Sequence, residues 1–214
     1  MTSGAKTSPA DATPRRALRV LARLALCSAA LLAGTARSEP IFDLDALAPL
    51  LAARRSGETR FTEERIVSGF DGPLRASGTL SFAAPDRFAR RTIEPRPESM
   101  VVEGNTVSIQ RSGRTRRMAL DAVPELTALI EAVRGTLTGD AATLRKHFEV
   151  RVEGGAAQWR MTLRPRDARL AAQVREVQIV GQHGELRTLE LWLAGGDRSL
   201  MTIEPFPAPA QAPR

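Results

Sequence analysis

Histidine, the usual carrier of acid–base chemistry near neutral pH, occurs only as His147 and His183 in this chain of 214 residues. Neither belongs to an H-x-x-x-H string, and a lone Cys27 forms no C-x-x-C pair, so no zinc site can be read from spacing. His147 follows Arg145 and Lys146 at an expected helix end, and His183 sits in GQHGE, a turn; both positions suit structure or solvent. The carboxylates pair no better. Asp43 and Asp45 lie two apart on a helical pattern and face different sides, while Glu63 and Glu64 are neighbours in a strand pattern and point to opposite faces. No G-x-S-x-G elbow, G-x-G-x-x-G loop or P-loop string is present. No catalytic, metal or cofactor residue is therefore assigned, and the chain is read as a non-enzyme without a cofactor.

The formal charge of +7 points toward nucleic acid until its location is considered. Six of the 31 basic residues and one of the 24 acidic ones fall within the first 38 positions, and the remainder carries only +2. That leading segment reads as an export signal. Arg15, Arg16, Arg19 and Arg23 precede the apolar LALCSAALLA (24–33), and GTARS (34–38) supplies small residues, which places cleavage between Ala36 and Glu39. Cys27 lies inside this segment, so the exported chain has no thiol to oxidise. The run RSGRTRR (111–117) reads as a solvated turn between strands, and with 4% aromatic residues and no Tyr there is no stacking platform for single strands. No nucleic-acid partner is expected.

The elements that follow fall into three blocks. IFDLDALAPLLAARR (41–55) places Leu44, Leu47, Leu50 and Leu51 on one helical face, with Pro49 as a point for a kink. Short stretches near 58–68, 74–83, 86–93, 98–103 and 106–110 then alternate as strands of an antiparallel meander. PELTALIEAVRGTL (124–137) returns to helical spacing, with Leu126, Leu129, Ile130, Val133 and Leu137 on one stripe and Gly135 expected to stop or loosen it; a short helix follows from Thr138 or Asp140. Strands resume at 148–155, 156–165, 173–181, 185–196 and 197–205, with turns expected at Gly154-Gly155 and Gly195-Gly196, and a Pro-rich tail (206–214) closes the chain.

These blocks predict an α+β, mainly β domain over 39–205: an incomplete antiparallel β-barrel, or strongly curved sheet, of about ten strands with helices covering its concave face. Periodicity alone leaves open a layer of helices on a sheet. Its inward residues are apolar: Leu74, Ala76, Leu80 and Phe82, then Phe88, Met100, Val102, Val107 and Ile109, then Trp159, Met161 and Leu163. Whether the covering helices fill the concavity or only close it decides between a plain core and a binding pocket.

The order FTEER (61–65), SGTLSFAAPDRF (77–88), PESMVVEGNTVSI (97–109), and W-x-x-x-L-x-P at Trp159 to Pro165 resembles the periplasmic lipoprotein carriers of the LolA family. The resemblance spans about 41–205 and implies a lidded half-barrel holding acyl chains, monomeric, exported to the periplasm, and working between an inner-membrane donor complex and an outer-membrane acceptor. It makes Leu80, Phe82, Phe88, Met100, Val102, Ile109, Leu126, Leu129, Ile130, Val133, Leu137, Trp159, Met161 and Leu163 the lipid-cavity candidates. The cargo it implies is a lipoprotein, or for a divergent member a glycolipid or polyene lipid; the second reading is a non-transporting periplasmic interaction or sensor module. Two positions depart from the family pattern. Ala84 stands where the main carriers have a latch arginine before the proline, with Arg87, Arg90 and Arg91 following it instead, and Glu63 replaces a glutamine.

Overall fold

A computed structural model describes residues 41–122 and 124–206, without the side chains of 124–126 and 128. The export-signal segment, the tail beyond Phe206 and the Leu126 side chain lie outside the described residues.

Eleven antiparallel strands form one sheet. In chain order they are β1 (Ser56–Ile66), β2 (Leu74–Ala83), β3 (Arg87–Glu94), β4 (Glu98–Glu103), β5 (Thr106–Arg111), β6 (Arg114–Ala119), β7 (Phe148–Gly155), β8 (Gln158–Pro165), β9 (Val174–Gln182), β10 (Glu185–Leu193) and β11 (Arg198–Ile203). Their spatial order is β6-β5-β4-β3-β2-β1-β11-β10-β9-β8-β7: two meanders joined where β1 pairs with β11, Phe61 opposite Ile203. The ends, β6 and β7, do not pair with each other, so the barrel stays open.

The strand beyond the ten expected is β6. Only Ser112 and Gly113 turn within RSGRTRR, and from Arg114 the chain pairs back along β5, Arg116 opposite Ile109. Every residue of β6 up to Arg117 is exposed, so its charge pattern gave no buried face to betray a strand, and arginines are an ordinary guard for a sheet edge. In the other half, Gly154 and Gly155 remain within β7, and Ala156 and Ala157 make the turn. Leu74, expected inward, is 37% exposed at the outer end of β2.

Four α-helices are described: α1 (Leu44–Ala52), α2 (Pro124–Thr138), α3 (Ala141–His147) and α4 (Ala168–Ala171), with a 3-10 turn at Leu120–Ala122. Asp43 caps α1, its carboxylate accepting from the Asp45 and Ala46 N–H groups; the helix buries Leu44, Leu47 and Leu51 and runs through Pro49. Helix α2 also runs through Gly135. A side chain there would bring its Cβ to 3.0 Å from Leu144 Cγ, so the glycine serves the close packing of α3 against α2. The helix ends instead at Gly139, whose φ of +68° turns the chain into α3. Asp140 caps α3 by accepting from the Thr143 N–H at 3.0 Å and its hydroxyl at 2.7 Å, bonds that hold its carboxyl below the usual range. Asp45 is held low in the same direction by a bidentate pair with Arg145, which ties α1 to α3.

Packing divides the interior. One cluster joins α1, α3, α4 and β7–β9 through Leu47, Leu144, Phe148, Trp159, Met161 and Leu170. The other, at the far end, joins β4, β5, the 3-10 turn and α2 through Val102, Val107, Leu120 and Ile130. Helix α2 bridges them, giving Ala132 to the first and Ile130 to the second.

Candidate functional site

Beneath α2, between the two packed clusters, lies a cavity of about 210 Å³. Its helical wall is Leu129, Ala132, Val133, Thr136 and Leu137, spaced as a single stripe. Its sheet wall runs from Met100 on β4 to Leu163 on β8. Those strands are seven places apart, about 33 Å on a flat sheet, so one small cavity touches both only because the sheet curls around it. Thus the helices cover the concavity without filling it.

Of the cavity residues expected from sequence, Leu80, Phe82, Phe88, Met100, Leu129, Val133, Leu137 and Leu163 line it. Val102 and Ile130 belong to the far cluster, with Ile109 packed against it, and Trp159 and Met161 lie in the near cluster. The strand residues among them share the inward face of their strands, but those stretches of the face are packed. Trp159 is further pinned by its indole N–H, which donates to the His183 carbonyl at 2.8 Å.

Sequence reasoning did not assign the wall supplied by β9–β11, where Val177, Ile179, Leu189, Leu191, Met201 and Ile203 face the cavity; their alternation was the available signal. It also placed Phe206 in the tail. The ring packs edge-on against Phe82, 5.8 Å between centroids, with the Arg54 guanidinium 4.5 Å over its other side, so Phe206 closes one end of the cavity.

One polar cluster interrupts the apolar wall. Glu63 points inward from β1 and is 6% exposed. Its Oε2 accepts from Arg90 Nη2 at 2.5 Å, and its Oε1 accepts from the Ser199 hydroxyl at 2.6 Å. The Arg90 guanidinium lies 4.9 Å over the Phe61 ring, and all three polar residues line the cavity. Arg90 Nε is buried with no hydrogen-bond partner among the described residues. Elsewhere, Thr59 and Thr136 satisfy their hydroxyls on backbone carbonyls of Glu204 and Ala132.

The turn carrying Ala84 is also tied to the helix. Arg134 on α2 donates from Nη2 to the Gly104 carbonyl at 2.8 Å and reaches the Asp86 carbonyl at 3.5 Å, while Nη1 bonds Glu131 at 2.5 Å. The arginine that joins α2 to the β2–β3 and β4–β5 turns therefore comes from the helix and not from the position before Pro85.

Residues 33–203 match the family model described as outer membrane lipoprotein carrier protein LolA-like. The chain belongs to that LolA-like family. A LolA superfamily protein from Nitrosomonas europaea aligns at 10% identity over 79% of this chain and 95% of its own, with a TM-score of 0.42. A DUF1329 family protein from Desulfovibrio piger gives 8% identity over 79% of this chain and 95% of its own, with a TM-score of 0.41. A chain of the MucA/MucB complex of Pseudomonas aeruginosa gives 14%, 77% and 57%, with a TM-score of 0.38. No curated protein matches the LolA-like chain by sequence. Among the described residues of this family member, no helix is long and apolar enough to cross a membrane, and no group of three potential metal ligands comes together.

Proposed function

We propose that the protein is a periplasmic carrier that shields the acyl chains of a lipoprotein or other lipid during transfer toward the outer membrane. The observation that carries this reading is the unfilled apolar cavity of about 210 Å³ between two fully packed clusters. A void among aliphatic side chains costs a fold dispersion contacts, and it is retained where a ligand restores them. Each methylene moved from water into such a space contributes about 0.8 kcal/mol, which is what lets an acyl group leave a bilayer and cross water. Membership of the LolA-like family supports the same reading.

The resting volume bounds the mechanism. The space of about 210 Å³ holds roughly seven groups at about 30 Å³ each, less than a whole acyl chain, so a bound chain either extends out of the open side of the pocket or is taken in as α2 and the sheet separate. The wall best suited to move is α2, because the stripe it presents to the cavity is mainly apolar and its side-chain bonds to the two turns run through Arg134.

Protein purified from the periplasm and examined by native mass spectrometry is expected to carry acylated species, and the emptied protein to take up a fluorescent fatty acyl probe. A protein that is always empty and takes up no probe overturns the carrier reading. Saturable binding to a membrane partner that survives filling of the cavity would instead identify a non-transporting interaction module.

A further inference from the structure

Resting on the carrier reading, we infer that Arg90 and Glu63 form a subsite for the neutral carbonyl oxygen of an ester- or amide-linked acyl group, so that the cavity selects acylated cargo over plain hydrocarbon. A pocket meant for hydrocarbon alone has no use for a charge in its wall: burying an ion pair is costly, and a well-packed apolar pair in its place is often as stable. This pair is also left incomplete. A guanidinium offers Nε and one Nη as a fork that a carboxylate can take with both oxygens. Here Nη2 holds Glu63 Oε2, but the second carboxylate oxygen is given to the Ser199 hydroxyl, and Nε is left buried and unpartnered among the described residues. A buried donor without an acceptor is a standing cost; Nε has no open space against it at rest, so an incoming oxygen removes that cost only as the side chains around Arg90 shift to admit it.

The charge state narrows the class of that oxygen. Glu63 already neutralises Arg90, and any acceptor on Nε sits beside the Glu63 carboxylate. A second anion would meet that carboxylate at close range in an apolar surround, whereas an ester or amide carbonyl brings an acceptor without a charge. The neighbours complete the arrangement: Leu80, Phe88 and Met100 line the same wall, so a carbonyl at Arg90 directs its hydrocarbon into the apolar part of the cavity.

The test measures displacement of 1-N-phenylnaphthylamine from the purified protein by methyl dodecanoate, tridecane and dodecanoate. Wild type is compared with the double variant Glu63→Gln/Arg90→Leu, which leaves no buried charge unpaired; circular dichroism confirms that it folds. Because the same ligands are compared across two proteins, their different solubilities cancel. The ester-to-tridecane affinity ratio is expected to fall roughly tenfold or more in the double variant, the loss of one hydrogen bond from a charged donor. An unchanged ratio overturns the subsite while leaving carriage intact. A loss confined to dodecanoate overturns the neutral-carbonyl assignment. If no ligand displaces the dye even from wild type, the carrier reading falls and the subsite with it.

Discussion

Substituting Val133→Phe tests whether the cavity is the binding space. Val133 faces it from the middle of the α2 stripe, between Leu129 and Leu137. The change adds four carbons, roughly 100 Å³ at about 30 Å³ or less per group, against a cavity of about 210 Å³. A bound chain then loses room for about three methylenes, about 2.5 kcal/mol at 0.8 kcal/mol each, or roughly 50- to 100-fold in affinity. The unliganded protein should not suffer in proportion. Filling an empty apolar space typically adds about 0.5–2 kcal/mol, whereas forcing the same ring into a packed core costs about 1–3 kcal/mol. Titration with a dodecanoyl probe and urea unfolding read the two quantities separately. Affinity within threefold of wild type in a well-folded variant would refute the assignment of the chain to this cavity. A fall of 3 kcal/mol or more in the unliganded protein would show that the space is not open to the ring.

The packed and unfilled regions should respond differently to truncation. Leu47→Ala, at a fully buried position in the near cluster, is expected to cost about 2–5 kcal/mol; Leu129→Ala, on a wall already facing empty space, should cost clearly less and should enlarge the acyl chain accepted. Removing the tie from α2 to the turns with Arg134→Ala is expected to cost about 1–2 kcal/mol in urea unfolding and to speed probe uptake in stopped-flow measurements; an unchanged uptake rate would show that α2 does not gate the cavity. At the start of α3, Asp140→Ala should cost about 1 kcal/mol and Asp140→Asn much less, because asparagine caps nearly as well. The Asp140 carboxyl is lowered by its bonds to Thr143 from an ordinary 3.8, so its contribution is fully present above that value and is lost as pH falls through the lower folded one. Acid unfolding followed by circular dichroism should show that part of the pH dependence removed in Asp140→Ala.

Most elements could be read from periodicity because each buries one face. The stripe Leu129, Val133 and Leu137 was legible at helical spacing, and alternation placed Glu63 and Glu64 on opposite faces, as found: Glu63 is buried and Glu64 exposed. Where local pattern and tertiary need diverge, it misled. Gly135 signals a helix end by propensity, yet the helix continues because α3 packs closely over it. Arg114–Ala119 has no apolar alternation, yet it is a strand, because an edge strand needs only a neighbour's hydrogen bonds.

The site divides along the same line. The sequence by itself determined which side chains face inward, since pleat and helical turn set direction locally, and its motif order carried the family resemblance. Only the tertiary structure decided which inward side chains surround space and which are buried in packing. Trp159 and Leu163 stand on the same face of β8, but Leu163 reaches the cavity while Trp159 does not line it and is buried in the near cluster. Likewise Glu63, Arg90 and Ser199, up to 136 residues apart in sequence, become one cluster only because β1 pairs with β11 on one side and with β2 on the other, β2 in turn pairs with β3, and the sheet curls. Direction is a property of a few neighbouring residues. Empty volume, and a donor left without its acceptor, are properties of how distant strands come together.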